Sequence, residues 1–173
     1  MVSVLDEHKC LTIAPPHGIE EIVATFGDIF AYVNEDHTLN PKWQAEHLVA
    51  VPLPFALALS WDRSRRVQRM TCHRLLQPIF ENAFLAILNG GLDSKLTGFG
   101  GCFSFRPQRT GANLSTHSWG IAIDLNPESN AQGTAGNLDA GIVSIFEHLG
   151  FTWGGEWRGL ARDPMHFQFC SGY

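Results

Sequence analysis

The stretch STHSWGIAIDLNP, residues 115–127, sets a histidine and an aspartate seven positions apart around a small, apolar, glycine-containing run. If GIAIDL forms a short buried strand, a loop holding His117 and the strand end holding Asp124 open at the same mouth of a sheet. Gly120 and Ala122 keep that passage narrow. The pair alone has two readings: a hydrogen-bonded structural pair at a strand end, or two ligands of a metal.

A second stretch, DPMHFQF at 163–169, bears on that choice. Asp163 precedes Pro164 and is biased away from helix. Asp followed by Pro favours a type I turn, whose first and fourth residues approach within about 7 Å. The fourth residue is His166, so a carboxylate and an imidazole meet at the start of a strand. Two imidazoles and one carboxylate form a three-ligand catalytic zinc set that leaves a fourth position for water. A further carboxylate beside that water is what metal-assisted amide hydrolysis requires. Taken alone, 163–169 reads first as a turn entering a core strand.

Working outward, GIEEIVATFG (18–27) carries Ile19, Ile22, Val23 and Phe26 at helical spacing, with Gly27 at a C-terminal cap. Residues 1–17 look loop-like, and 34–47 irregular and polar. HLVAVPLP and FALALSW read as two short strands broken by proline. RVQRMTCHRLL reads as strand then helix, and after Pro78 the segment IFENAFLAILNGG is a helix closed by glycines. LTGFGGCFSFR (96–106) reads as a glycine-rich approach to a strand carrying Phe103 and Phe105. NLDAGIVSIFEHLG is a second firm helix, with Ile142, Ile145, Phe146 and Leu149 on one stripe. FTWGG and HFQF close the chain as strands. With helices early and strands clustered late, the expected fold is a single α+β domain over 1–173, with a helical and strand half over 18–95, a half over 96–173 that carries the candidate ligands at the sheet mouth, and helices packed on a central antiparallel sheet.

Bulk properties bound the alternatives. A chain of 173 residues, 45% hydrophobic and 17% charged, can bury a core as one domain. A net charge of −5 argues against a nucleic-acid grip, with the cluster DRSRRVQR at 62–69 read as a solvated face. No basic start with an apolar h-region is visible, and no apolar run reaches a membrane-spanning length. Cys10, Cys72, Cys102 and Cys170 contain no CxxC pair and read mostly as small, reduced core residues. His8, His17, His37, His47, His73 and His148 lack ligand spacing.

Together and in order, the two stretches resemble a known family. STHSWGIAIDLNP is similar to the S-x-H-x-x-G-x-A-x-D signature of zinc peptidases that include D-alanyl-D-alanine carboxypeptidases, VanY/VanX-type enzymes and phage L-alanyl-D-glutamate endopeptidases. WGGEWRGLARDPMHFQF resembles that family's closing W-G-G-[DE]-W and D-x-x-H-F segment. The resemblance is clear over about 100–173. It implies a Hedgehog/D,D-peptidase-like fold, zinc held by His117, Asp124 and His166, and Asp163 as general base. Where several members carry Glu at that place, this chain has the shorter Asp. The family's upstream arginine falls on Arg106, at the expected strand end, with Arg109 as the fallback; either guanidinium could hold an oxyanion or a substrate carboxylate. On the substrate side the resemblance implies Ser115, Arg109, Trp153 and Glu156, with Trp157 also shaping the rim and Glu156 the rival base.

The implied activity is hydrolysis of amide bonds in peptidoglycan stem peptides, by an L-alanyl-D-glutamate endopeptidase or a D,D-carboxypeptidase. The implied partner is the wall peptide alone, for a monomer that neither binds nucleic acid nor inserts into membranes. Without a visible signal peptide, the expected setting is a phage enzyme, made in the cytoplasm and delivered by a holin or a virion. The competing readings are a non-catalytic, zinc-stabilised wall-binding or phage-tail module on the same fold, and a metal-free hydrogen-bond network. Asp163 speaks against the module, because a purely structural site has no use for an acid three residues before its last ligand.

Overall fold

The computed structural model describes residues 13–109 and 113–173. Among these, helix α1 (Gly18–Phe26) buries Ile22 and Phe26, one turn apart, and ends at Gly27, whose φ of 100° suits a glycine cap. Helix α2 (Pro41–His47) follows, then strands β1 (Leu48–Ala58) and β2 (Arg66–His73), and helix α3 (Gln77–Asn89). The second half holds β3 (Phe99–Gly101), β4 (Ala122–Leu125), α4 (Ala140–His148), β5 (Thr152–Trp153) and β6 (His166–Gln168). The strands form two antiparallel sheets, a β1–β2 hairpin and a four-stranded sheet in the order β3-β4-β6-β5. The expected α+β class and antiparallel pairing are therefore present, and α1, α3 and α4 stand where periodicity put them.

Four expectations are corrected. Helices do not precede strands, because the two longest strands, β1 and β2, lie in the first half and form a sheet of their own. Residues 34–47 are not all irregular. Asn40 caps α2 by accepting from the Lys42 N–H, and Pro41 occupies its first turn, so the Asn-Pro pair was the signal. The two proline-broken strands are one strand, and the prolines act on pairing instead: the β1–β2 register shifts between Pro52 and Leu57. Phe103 and Phe105 lie outside any strand, since β3 ends at Gly101 with φ of 111°. Beyond it the chain turns to the His117 loop, where the Ser104 N–H donates to the His117 carbonyl.

The core runs between α3, α4 and both sheets. Phe84 of α3 meets Phe146 of α4 edge-on, and Phe146 stacks on Phe167 of β6 at 4.6 Å between centroids. All three rings are fully buried, each contributing on the order of 1.5–3 kcal/mol relative to exposure. Side chains alternate along a strand, so anchoring Phe167 against α4 turns His166 and Gln168 to the opposite face of the sheet. The hairpin is tied to this face through Gly120. Its carbonyl accepts from the His73 N–H at 2.9 Å, and a Cβ there would lie 2.8 Å from that nitrogen. With φ of 70° as well, the position suits glycine on both counts.

Cys72, Cys102 and Cys170 are buried free thiols, as expected, with Cys72 and Cys170 pushed up to about 12 by burial. Cys10, His8 and the first 12 residues lie outside the described residues. Arg63, Arg65, Arg66 and Arg69 are all exposed on the hairpin, in line with a solvated face. No helix among the described residues is long and apolar enough to cross a membrane.

Candidate metal centre

Three chain segments converge on one point. Asp124 on β4 and His166 on β6 are direct cross-strand partners in the antiparallel register. His117 arrives from a 3₁₀ turn (Thr116–Trp119) capped by Ser115, whose Oγ accepts from the His117 N–H at 3.4 Å. The Asp163 turn forms as the sequence predicts: the His166 N–H donates to the Asp163 carbonyl at 3.0 Å. The Trp153 indole N–H holds the same turn by donating to the Pro164 carbonyl at 2.8 Å.

The result is a triangle of side-chain atoms. His117 Nε2 lies 3.2 Å from Asp124 Oδ1 and 3.2 Å from His166 Nδ1, and His166 Nδ1 lies 3.0 Å from Asp124 Oδ1. Tetrahedral zinc with bonds of 2.0–2.1 Å separates its ligand atoms by about 3.3 Å, so these edges fit one face of such a site. All three residues are buried, and together they form a group that could hold a metal ion.

The outer nitrogens show which way the lone pairs point. His117 Nδ1 stands 2.6 Å from the Cys102 carbonyl, which can only accept, so that nitrogen carries the ring proton and Nε2 is left bare. His166 Nε2 faces Gln168 Oε1 at 3.1 Å, leaving Nδ1 to turn inward. With the ring protons on those outer nitrogens, two imidazoles and a carboxylate would turn three acceptors to one point, a donor set that suits a cation.

The carboxyls divide accordingly. Burial alone would raise Asp124, but the facing His117 and His166 outweigh it and hold the carboxyl far below the usual range. Burial likewise opposes charge on His166, yet the Asp124 carboxylate keeps that imidazole above its ordinary value. Asp163 is half-buried and its carboxyl is pushed up by burial, against the pull of His166. Its Oδ1 is a buried acceptor with no hydrogen-bond partner among the described residues.

Beside the triangle lies a cleft of about 320 Å³, lined by Arg106, Arg109, Ser115, Trp157, Asp163 and His166 among others. Both candidate arginines are therefore at the site. Arg106 is the better anchored, since Ser118 Oγ accepts from its N–H and its carbonyl accepts from the Ser115 N–H. Arg109 is exposed, with its charge acting on Asp163. Trp153 and Glu156 do not line this cleft. Trp153 braces the Asp163 turn, and Glu156 is exposed, with its charge acting on Glu147. Sequence reasoning missed Thr116, Gln168, Gln132 and Tyr173, which also line the cleft, and the Cys102 carbonyl. Only Gln168 left a trace, standing two residues from His166 on a strand and so on its face.

Residues 108–169 match a family model described as D-alanyl-D-alanine carboxypeptidase, a span that contains the whole triangle and Asp163. The match supports a hydrolase of the D,D-peptidase type. No curated protein and no solved structure matches the chain.

Proposed function

We propose that the chain is a zinc-dependent peptidase cleaving amide bonds of peptidoglycan stem peptides, as an L-alanyl-D-glutamate endopeptidase or a D,D-carboxypeptidase. The observation that carries this reading is the convergence of His117 Nε2, Asp124 Oδ1 and His166 Nδ1 at the side of a cleft that His166 and Asp163 both line, with Asp163 Oδ1 left unpartnered among the described residues. His117, Asp124 and His166 would hold the metal, which when bound supplies Lewis acidity and lowers the pKa of water at the open position.

The chain's own residues supply the rest. Asp163, lining the cleft with a free buried oxygen, takes a proton from the attacking water and delivers it to the leaving amine. Arg106 holds the developing oxyanion or a substrate carboxylate from a backbone fixed at both its N–H and carbonyl. Arg109 and Ser115 bind the substrate along the same wall, while Trp157, tilted 5.6 Å from the His166 ring, closes the other side. Trp153 supports the site by holding the Asp163 turn. The expected setting is a monomer delivered to the wall by a holin or a virion.

Digestion of purified peptidoglycan with and without chelator, followed by mass analysis of new termini, tests the activity and names the bond. New amino termini on D-glutamate indicate the endopeptidase; free D-alanine indicates the carboxypeptidase. Unchanged peptidoglycan with zinc retained would point to the binding module instead.

A further inference from the structure

Gln168 is buried on β6, two residues beyond His166 and on the same face of the strand. Its amide touches three elements. Oε1 accepts from Thr116 Oγ1 at 3.3 Å and faces His166 Nε2 at 3.1 Å. Nε2 donates to the carbonyls of Cys170 and Tyr173, each at 3.5 Å. These two carbonyls can only accept, so they determine which way round the amide sits: the nitrogen faces them and the oxygen faces the imidazole. A rotated amide would set its oxygen against both carbonyls.

From this geometry we infer that Gln168 is a positioning residue for the metal centre, fixing the His166 proton on Nε2 and thereby presenting Nδ1 to the metal. The inference rests on the zinc reading above and adds a residue whose role no motif of the site carries. Without an acceptor at Oε1, either nitrogen of His166 can carry the ring proton, and the protein must exclude the wrong tautomer each time it binds metal. The corresponding acceptor for His117 is a backbone carbonyl, that of Cys102, which substitution cannot easily remove. Gln168 is thus the nearer of two side chains at His166 Nε2, at 3.1 Å against 3.5 Å for Thr116 Oγ1. Thr116 has the lesser part, donating to the same oxygen from the turn that carries His117 and so linking the two ligand segments.

The test measures Zn2+ affinity by competition with a chromophoric chelator, in the full chain and in Gln168→Leu and Gln168→Glu. Removing the partner of a metal-bound histidine typically weakens metal binding about 10–100-fold, and that loss is expected for Gln168→Leu. Gln168→Glu keeps an acceptor oxygen and is expected to bind zinc more tightly than the leucine variant. A leucine variant with wild-type affinity, or a glutamate variant as weak as leucine, overturns the assignment. Should the leucine variant fail to fold, nitrogen-15 NMR of the zinc-loaded wild-type chain decides: the His166 proton is expected on Nε2, and a proton on Nδ1 overturns the inference. A wild-type chain that takes up no zinc overturns the metal reading and this assignment with it. Tight wild-type binding unaffected by Gln168→Leu overturns the assignment alone.

Discussion

His117 Nε2 and His166 Nδ1 face each other across 3.2 Å, while the opposite nitrogen of each ring is engaged by an acceptor, the Cys102 carbonyl or the Gln168 amide oxygen. Rings whose protons sit on those outer nitrogens turn their lone pairs toward each other, with Asp124 Oδ1 within 3.2 Å of both. The arrangement makes sense with a divalent cation at its centre. The wild-type chain is expected to hold one zinc, and His117→Ala and His166→Ala to lose both metal and activity. Metal analysis alongside a wall-digestion assay checks this; a metal-free variant that still digests overturns the ligand assignment. Binding should weaken as pH falls, because protons compete for the same three groups.

Asp163 makes no hydrogen bond through its buried Oδ1, so little folded-state structure depends on that oxygen. Asp163→Ala is expected to keep its zinc and its thermal stability while losing roughly 10²–10⁴ in rate, the usual contribution of a general base. Turnover and metal content measured on the same preparation separate the outcomes. Normal hydrolysis would move the base elsewhere.

The two arginines share a cleft but differ in anchorage. Arg106 is fixed at its N–H by Ser118 and at its carbonyl by Ser115, whereas Arg109 is exposed. The anchorage is of the Arg106 backbone, and its guanidinium donates to the Pro107 carbonyl at 3.3 Å; on that firmer footing Arg106→Ala is expected to cost on the order of 10²-fold in kcat and Arg109→Ala less than about 10-fold. Comparing kcat and KM for both variants on one stem peptide tests the ranking, and the reverse order would exchange their roles.

Away from the site, buried His73 gives the fold an acid-sensitive joint. Its Nε2 lies 3.0 Å from the Phe26 carbonyl and its Nδ1 accepts from the Leu75 N–H, so a second ring proton has no place to go. Burial lowers its pKa from 6.5 to about 4. Above pH 6.5 both folded and unfolded chains hold it neutral, and its contribution is intact. Between 6.5 and 4 the unfolded chain takes up the proton and the folded chain does not, so stability falls, by on the order of 3 kcal/mol once the pH is below both values. Urea unfolding at pH 7 and pH 4.5 should show this loss in the wild type and a smaller one in His73→Gln. Equal losses would place the acid sensitivity in other groups.

Much of this was legible because the physics is local. Pro78 and the glycines after Asn89 bracket α3, the stripe from Ile142 to Leu149 marks α4, and Asp163-Pro164 forms the predicted turn. A proline's missing N–H or a helical repeat acts over a few residues, and a sequence displays it directly. The boundaries of β1 and β3 were not legible, since a strand's extent depends on its neighbour. The β1–β2 register shifts between Pro52 and Leu57 without ending β1, and Phe103 and Phe105 have β propensity but lie outside any strand.

The same division runs through the site. The sequence by itself determined the inventory: two imidazoles and two carboxylates, with His166 three residues after an acid that opens a turn. Only the tertiary structure decided that Asp124 stands directly opposite His166, which nitrogen of each ring faces inward, and that Glu156 and Trp153 lie off the cleft that Asp163 lines. Strand register and the long-range acceptors at Cys102 and Gln168 set those choices. Both join segments far apart in the chain, so neither can be read from spacing along it.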